Sequence, residues 1–408
     1  MLERASYAPV YTLPEDVLRL IFEVDFKHDS HAEAIAQLTS PNRGIAFADP
    51  LLITHVCRRW RQTALALPTI WRCVHVNEAT CRHEEALDAW LERARSMSVR
   101  LVCEVGADEG LVRDRLRGVL PRQACRLESV AILKCTQSAS SRSDIATLGL
   151  PDDIQKLLFS RAPAVPSLAM YRTPPVVYAF LLADLRRLEL HEMNITRRIL
   201  TQLSRAAPNL SNLTLRQVSM DKKPFNFESS PIPPAIFPRL QTLTLRCTTW
   251  LFLEELAMPV LESLILQDAP EDMAFDSEHR DGPAAENDFV AVRYLTLVRC
   301  VHTHVACCRV LFRRMPEVTS VELCESDAAL ALLGERASGD GFQHLLPHTY
   351  ALSLTKLEEE NYPLLIETVR VRREVSYPLA EIRLGAELRS AMGEAFITSL
   401  AQYVTVIA

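Results

Sequence analysis

The sequence predicts an α/β protein. A small helical unit at the N-terminus leads into an irregular solenoid with parallel strands on its concave face and helices on its convex face. Three observations predict it: a short leucine template recurs along the chain, helix-compatible segments separate its copies, and only 11 of 408 residues are glycine. The boundaries read as 1–72 for the helical unit, 73–160 for the region leading into the solenoid, and 161–408 for the repeats.

The template is clearest in PNLSNLTL (208–215), PRLQTLTL (238–245) and PVLESLIL (259–266), which share the form Pro-x-Leu-x-x-Leu-x-Leu. Looser copies are DLRRLEL (184–190), AVRYLTL (291–297), PEVTSVEL (316–323), PHTYALSL (347–354) and PLAEIRL (378–384), with weaker ones at 125–132 and 163–170. Two leucines spaced two apart on a strand point to the same face. The leucine three residues earlier brings the chain into the strand from the same core. Between copies, ITRRILTQLSRAA (195–207) carries Ile195, Ile199, Leu200 and Leu203 at helical spacing, and HVACCRVLFRRM (304–315) is a second helical segment.

A strand, a turn and a helix repeated about every 20–30 residues make a leucine-rich repeat solenoid. The rival is a doubly wound α/β domain, which needs longer apolar strands and Gly-rich turns. Short strands and scarce glycine favour the solenoid. The connections 218–237 and 267–289 break the period and read as surface loops. In the region before the repeats, EEALDAWLERAR (84–95) is an amphipathic helix with Leu87, Trp90, Leu91 and Ala94 on one face, and SVRLVCEV (98–105) reads as a strand.

Composition excludes several function classes. A net charge of -6 argues against nucleic acid as the main partner. The longest apolar run, 176–185, is far short of the roughly 20 residues of a membrane helix. The opening residues lack the apolar core of a signal peptide, and the eleven cysteines are an odd number, so the thiols read as reduced in a cytoplasmic or nuclear protein. There is no GxxxxGK[ST], GxGxxG or GxSxG, and HEMNI (191–195) lacks the second histidine of a zinc-hydrolase helix. No catalytic residue and no cofactor is expected.

CVHTHVACC (300–308) is the one dense set of metal-type ligands: Cys300, His302, His304, Cys307 and Cys308. A zinc site would want a second Cys pair, and none is present. Cys300 also stands three residues after Leu297, where leucine-rich repeats place a Cys or Asn to bond the backbone of the turn. No metal is expected.

At the N-terminus, TLPEDVLRLIF (12–22) carries a helix-start signature. Thr12 and Glu15 have capping-box spacing, Pro14 sits near the first turn, and Val17, Leu18, Ile21 and Phe22 supply an apolar face. ITHVCRRWRQTALALPTIW (53–71) reads as a second helix, with Ile53, Val56, Cys57, Trp60, Ala64 and Leu67 at helical spacing and Pro68 as its stop. Its arginines lie mainly off that stripe. An apolar stripe with a basic border suits docking of a partner.

LPEDVLRLIF, then VCRRWRQTA and TIW, resembles the F-box, most closely the expanded F-box families of fungi. The resemblance covers about residues 11–72, and the link 27–50 is longer than in a compact F-box. It implies docking to the Skp adaptor of an SCF ubiquitin ligase, and through it to a cullin. The residues matching the adaptor-binding positions are Leu13, Pro14, Leu18, Ile21, Val56, Cys57 and Trp60. Trp71 matches the aromatic that closes the unit and packs it onto the solenoid. An F-box before a solenoid implies a substrate receptor holding a target protein. The alternative is an interaction scaffold with no ligase role.

On the repeats, the residue between the closing leucines and the one after them should face the concave surface. Those pairs are Glu189 and His191, Thr214 and Arg216, Thr244 and Arg246, Ile265 and Gln267, and Thr296 and Val298. Arg216 and Arg246 would be stacked neighbours with no acid directly between them, suited to a phosphate or carboxylate on a partner peptide. Glu189, His191, Arg216 and Arg246 are therefore the candidate target-binding residues.

Overall fold

Every copy of the leucine template from Leu190 onward forms a strand in the computed structural model. The structure describes residues 13–27, 50–105, 126–134, 166–172, 184–220, 234–248, 252–268, 289–300, 305–335 and 345–407, together with Leu182 and single positions between 111 and 123. Most of the two long connections and the link at 28–49 lie outside them. Two compact units divide the chain, Met1–Leu185 and Arg186–Ala408. Both are mixed α/β, with parallel sheets and helices. No helix among the described residues is long and apolar enough to cross a membrane.

The first unit opens with α1 (Glu15–Lys27), whose first turn holds Glu15 and Asp16 where the helix dipole favours acids. The second expected helix, 53–67, is instead two. α2 covers Pro50–Thr54 and α3 covers Arg58–Ala66, with a turn at His55 and Val56. The reason is at Cys57, whose backbone is extended (φ -158, ψ 170) and whose sulfur accepts the Trp60 N–H at 3.5 Å. That is an N-cap, and it starts a new helix. Arg61 Nε donates to the Thr54 carbonyl at 2.8 Å, satisfying the end of α2 across the break. The helical spacing of the sequence runs through the break unaltered, which is why it reads as one helix.

Pro68–Trp71 form a single 3-10 turn, and Trp71 is fully buried. Its Nε1 donates to the Ala64 carbonyl at 2.8 Å. Its ring meets Trp90 edge-on at 5.4 Å between centroids, and the Arg93 guanidinium lies 4.8 Å from its centre. Trp90 and Arg93 belong to α5 (Glu84–Arg93), which comes after β1 (Cys73–Val76) and the short α4 (Glu78–Arg82). On α5 and just past it, Leu87, Trp90, Leu91 and Ala94 are buried, as their spacing predicts. β1 then pairs in parallel with β2 (Val99–Val105), β2 with β3 (Leu127–Lys134), and β3 with β4 (Ser167–Tyr171).

In the second unit, nine parallel strands among the described residues succeed one another in chain order. They are β5 (Arg187–His191), β6 (Asn212–Arg216), β7 (Thr242–Arg246), β8 (Ser263–Gln267), β9 (Tyr294–Val298), β10 (Ser320–Cys324), β11 (Ala351–Lys356), β12 (Glu381–Leu384) and β13 (Thr405–Ile407). Leu213 aligns with Leu188, Leu243, Leu264 and Leu295, so each leucine of the template stacks on its counterpart. These leucines are buried, and so are Leu210, Leu240 and Leu261, which precede the strands by the spacing the template gives. Burying apolar area contributes about 25 cal/mol per Å2, so this repeated stack stabilises the unit.

Helices return the chain between strands: α6 (Arg197–Ala206), α7 (Phe252–Glu255), α8 (Val305–Arg313), α9 (Asp327–Leu333), α10 (Tyr362–Glu374) and α11 (Ala386–Ala401). Thr196 caps α6 by accepting the Ile199 N–H at 3.3 Å. α11 is broken at Gly393, which takes φ 73 inside the helical run.

The turns after the strands share one backbone device. The second residue past the first six closing leucines, Leu190 to Leu323, is left-handed without being glycine: Glu192, Gln217, Cys247, Asp268, Arg299 and Glu325 have φ between 48 and 53. Each donates its N–H to the last residue of the next strand, as Gln217 does to the Arg246 carbonyl at 2.8 Å and Arg299 to the Cys324 carbonyl at 2.8 Å. The sheet ladder thus continues one residue past the strands, and the hydrogen bond offsets the cost of the left-handed conformation.

Candidate functional site

Two surfaces stand out, one in each unit. Of the fifteen exposed large hydrophobic side chains among the described residues, eight fall between Val17 and Leu65. Helix α1 carries Val17, Leu20, Ile21 and Val24 at spacings of three, four and seven, a single stripe along its outer side. α2 and the turn after it carry Leu51, Leu52 and Val56, and α3 carries Leu65. Leu20, Leu52 and Val56 are 57%, 58% and 59% exposed. Exposed apolar side chains gathered this densely mark an interaction site.

The residues proposed for adaptor contact divide between this surface and the core. Pro14, Ile21 and Val56 are exposed. Leu13 is half-buried, and its carbonyl accepts the Arg59 guanidinium. Leu18 is fully buried and unavailable to a partner; with Phe22 it forms the inner side of α1. The four residues read as one face therefore split, Leu18 and Phe22 inward and Val17 and Ile21 outward. Cys57 is half-buried as the cap of α3, and Trp60 is half-buried with its ring edge-on to Phe22 at 5.2 Å between centroids. The basic border is also partly structural, since Arg59 and Arg61 hold the Leu13 and Thr54 carbonyls. Leu20, Val24, Leu51, Leu52 and Leu65 join the surface without having been expected there. Their signal was present: α1 has apolar residues on two sides, more than one core needs.

The second surface is the sheet face opposite the leucines. Arg216 aligns with His191 on one side and Arg246 on the other, and Thr214 with Thr244 one row along. The two arginines are therefore neighbours, about 4.8 Å apart at the backbone. No acid stands between them in the strands. The acid comes from the turn after β8: Asp268 Oδ2 lies 3.6 Å from Arg246 Nε, and Asp268 also accepts a hydrogen bond from Arg299. The Arg299 hydrogen bond and the charges of Arg299 and Arg246 hold the Asp268 carboxyl below its ordinary range, against the opposing effect of burial. The leucine template ends at the strand and gives no sign of this turn residue. His191 is buried rather than exposed, with Nε2 3.5 Å from Glu189 Oε2. The imidazole sits against Glu189 and is not presented to solvent.

Cys300 is buried, and burial pushes its thiol up to about 12, so the sulfur is a neutral core group. Cys308 is also buried, while His302 and His304 lie outside the described residues. Among the described residues no three His, Cys, Asp or Glu side chains gather into a metal-ligand set. The chain matches no protein-family model, and no relative is found among curated proteins.

Proposed function

We propose that the chain is a non-catalytic substrate receptor of an SCF-type ubiquitin ligase. Its helical unit is an F-box that docks a Skp adaptor, and through it a cullin. Its second unit is a leucine-rich repeat solenoid that holds a target protein by the face bearing Arg216 and Arg246. Such a receptor accelerates modification by proximity, raising the effective concentration of a target lysine near the transferring enzyme. The cytoplasm or nucleus is where such a complex works.

The observation that carries the adaptor reading is the exposed apolar stripe of α1 beside the exposed Leu52 and Val56. A small helical unit whose own core is already filled by Leu18, Phe22, Ala64 and Trp71 has no internal use for these side chains. The motif order of the sequence supports the same partner. Affinity purification of the full chain, with bound proteins identified, tests the reading. A Skp adaptor and a cullin should be recovered, and a Pro14→Ala, Val56→Ala double change should reduce their recovery. Recovery of partners without any Skp adaptor would reject the ligase role in favour of a plain interaction scaffold.

A further inference from the structure

A third surface lies at the entry ends of the strands in the second unit. Among the described residues seven large hydrophobic side chains are exposed outside the helical unit, and five of them stand there. They are Val260, Val290, Tyr294, Tyr350 and Tyr377, each between 38% and 55% exposed. Tyr294 opens β9, and Tyr350 immediately precedes β11, two strands along the sheet. Between them β10 brings only Thr319 and Ser320, since Ser320 aligns with Tyr294 on one side and Ala351 on the other. At about 4.8 Å per strand, the two tyrosines are about 10 Å apart at the backbone. Among the described residues no hydrogen bond or ring contact engages either phenol. The backbone of this edge is fully paired: the Glu262, Arg293, Thr319 and Tyr350 carbonyls each accept two N–H groups from the next strand. Arg293 and His348 both face Glu317, at 2.8 and 3.9 Å, so the local charge is largely balanced.

We propose that this edge binds an uncharged, proline-rich segment of a partner in the polyproline II conformation, with prolines three apart resting on Tyr294 and Tyr350. The edge has phenol and hydroxyl groups to offer but no free backbone carbonyl. An ordinary extended chain brings an N–H at every residue, and each would lose water here without finding a backbone acceptor. Proline has no N–H. Its carbonyls are unpaired in polyproline II and can accept from the two phenols. That helix repeats every three residues, about 9.3 Å, which matches the spacing of the tyrosines. Aromatic-walled surfaces suit it because it is ordered before it binds. The size of the patch also selects a short segment. Its five side chains expose about 400–500 Å2, against about 800 Å2 per partner in a stable protein interface, too little for a second copy of the chain. The balanced charge gives no preference for an acidic or a basic segment. The site lies at the end of the strands away from Arg216 and Arg246, and it does not rest on the adaptor reading.

The test is isothermal titration of the purified full chain with a ten-residue proline peptide and a glycine-serine peptide of the same length. The proline peptide should bind, and the glycine-serine peptide should not. Tyr294→Ala and Tyr350→Ala should each weaken binding by about tenfold or more. Tyr294→Phe and Tyr350→Phe keep the ring and lose its hydrogen bond, so each should weaken binding by about three- to tenfold. Arg309→Gln, on α8 and paired with Glu335, should leave binding unchanged. If the alanine variants melt at lower temperature, the phenylalanine variants carry the test. No binding of the proline peptide by the unaltered chain, equal binding of the glycine-serine peptide, or unchanged affinity in both tyrosine positions would overturn the proposal. So would a concentration-dependent dimer that is lost in Tyr294→Ala and Tyr350→Ala, which would assign the patch to a second copy of the chain. The assay contains no adaptor, so its failure is distinct from a failure of the docking unit.

Discussion

The hydroxyl of Thr248 accepts the backbone N–H of Val218 at 3.2 Å, from a position three residues past the closing leucine of β7. The same oxygen lies 3.1 Å from the Leu215 carbonyl and 2.9 Å from the Arg246 carbonyl. Ser326 repeats the arrangement: its hydroxyl accepts the Cys300 N–H at 3.1 Å and reaches the Leu297 and Cys324 carbonyls at 3.0 and 2.9 Å. One small hydroxyl thus ties two successive turns together where the backbone leaves the sheet. Cys300 bonds the backbone of its turn, as expected, through Sγ to the Val298 carbonyl at 4.0 Å, and donates its own N–H to Ser326.

Thr248→Val keeps the shape of the side chain and leaves the buried Val218 N–H without its acceptor, while the Arg246 carbonyl keeps the Gln217 N–H. It should destabilise the protein by about 1–3 kcal/mol. Chemical denaturation with unchanged slope checks it; a loss below about 0.5 kcal/mol would mean that the turns close without the hydroxyl.

Arg372 is a second buried organiser. It is 2% exposed and donates to the Leu345, Leu346 and Thr349 carbonyls at 3.4, 3.0 and 3.2 Å. Burial draws its guanidinium down to about 10, still charged at neutral pH. Leu346, one of those acceptors, has φ 52, so the arginine holds a left-handed residue in place. Arg372→Met should cost about 3 kcal/mol by removing the guanidinium's bonds to these carbonyls, of which that of Leu346 keeps the Thr349 N–H. Hydrogen exchange should rise first around 345–349, and exchange unchanged there would contradict this role.

Asp268 links stability to pH. Its carboxyl is held below the ordinary value of 3.8 by the Arg299 hydrogen bond, with the Arg299 and Arg246 charges acting the same way and burial opposing. A carboxylate lowered by the fold adds stability above the ordinary range and loses it as the pH falls through the folded value. Asp268→Asn should therefore lower the melting temperature at pH 7, and the gap to the unaltered protein should narrow below about pH 4. A gap that stays constant with pH would show that the network contributes no charge-dependent stability.

Trp71 joins the helical unit to β1 and α5. Removing a fully buried indole with its hydrogen bond to Ala64 and its edge contact with Trp90 should cost about 3–5 kcal/mol in Trp71→Ala. Thermal unfolding measures it. A loss of less than about 1 kcal/mol would mean that the joint closes around the cavity.

Much of the sheet was legible because the leucine template is a direct record of burial. The alternation of Leu213 and Leu215 places the strand, and Leu210 places the approach to it. α5 was legible for the same reason through Leu87, Trp90, Leu91 and Ala94. The break at Cys57 was not, because helical spacing counts residues and does not register one extended backbone between two helices. Which side of α1 faces the core was also hidden, since Leu18, Leu20, Ile21 and Phe22 are equally apolar and only packing against Trp60 and the Pro68–Trp71 turn selects Leu18 and Phe22. The arginine pair was readable from register alone. Its carboxylate was not, because Asp268 acts from a left-handed turn whose non-glycine residue gives no local signal.

The most direct test of the account is adaptor capture by chains altered on the outer stripe of α1 and the turn after α2. Full chains carrying Leu20→Asp or Val56→Asp should fold with unchanged melting temperature, because both side chains are more than half exposed. They should nevertheless fail to co-purify with a Skp adaptor that the unaltered chain retains. Undiminished adaptor recovery by both altered chains, or none by the unaltered chain, would contradict the central claim.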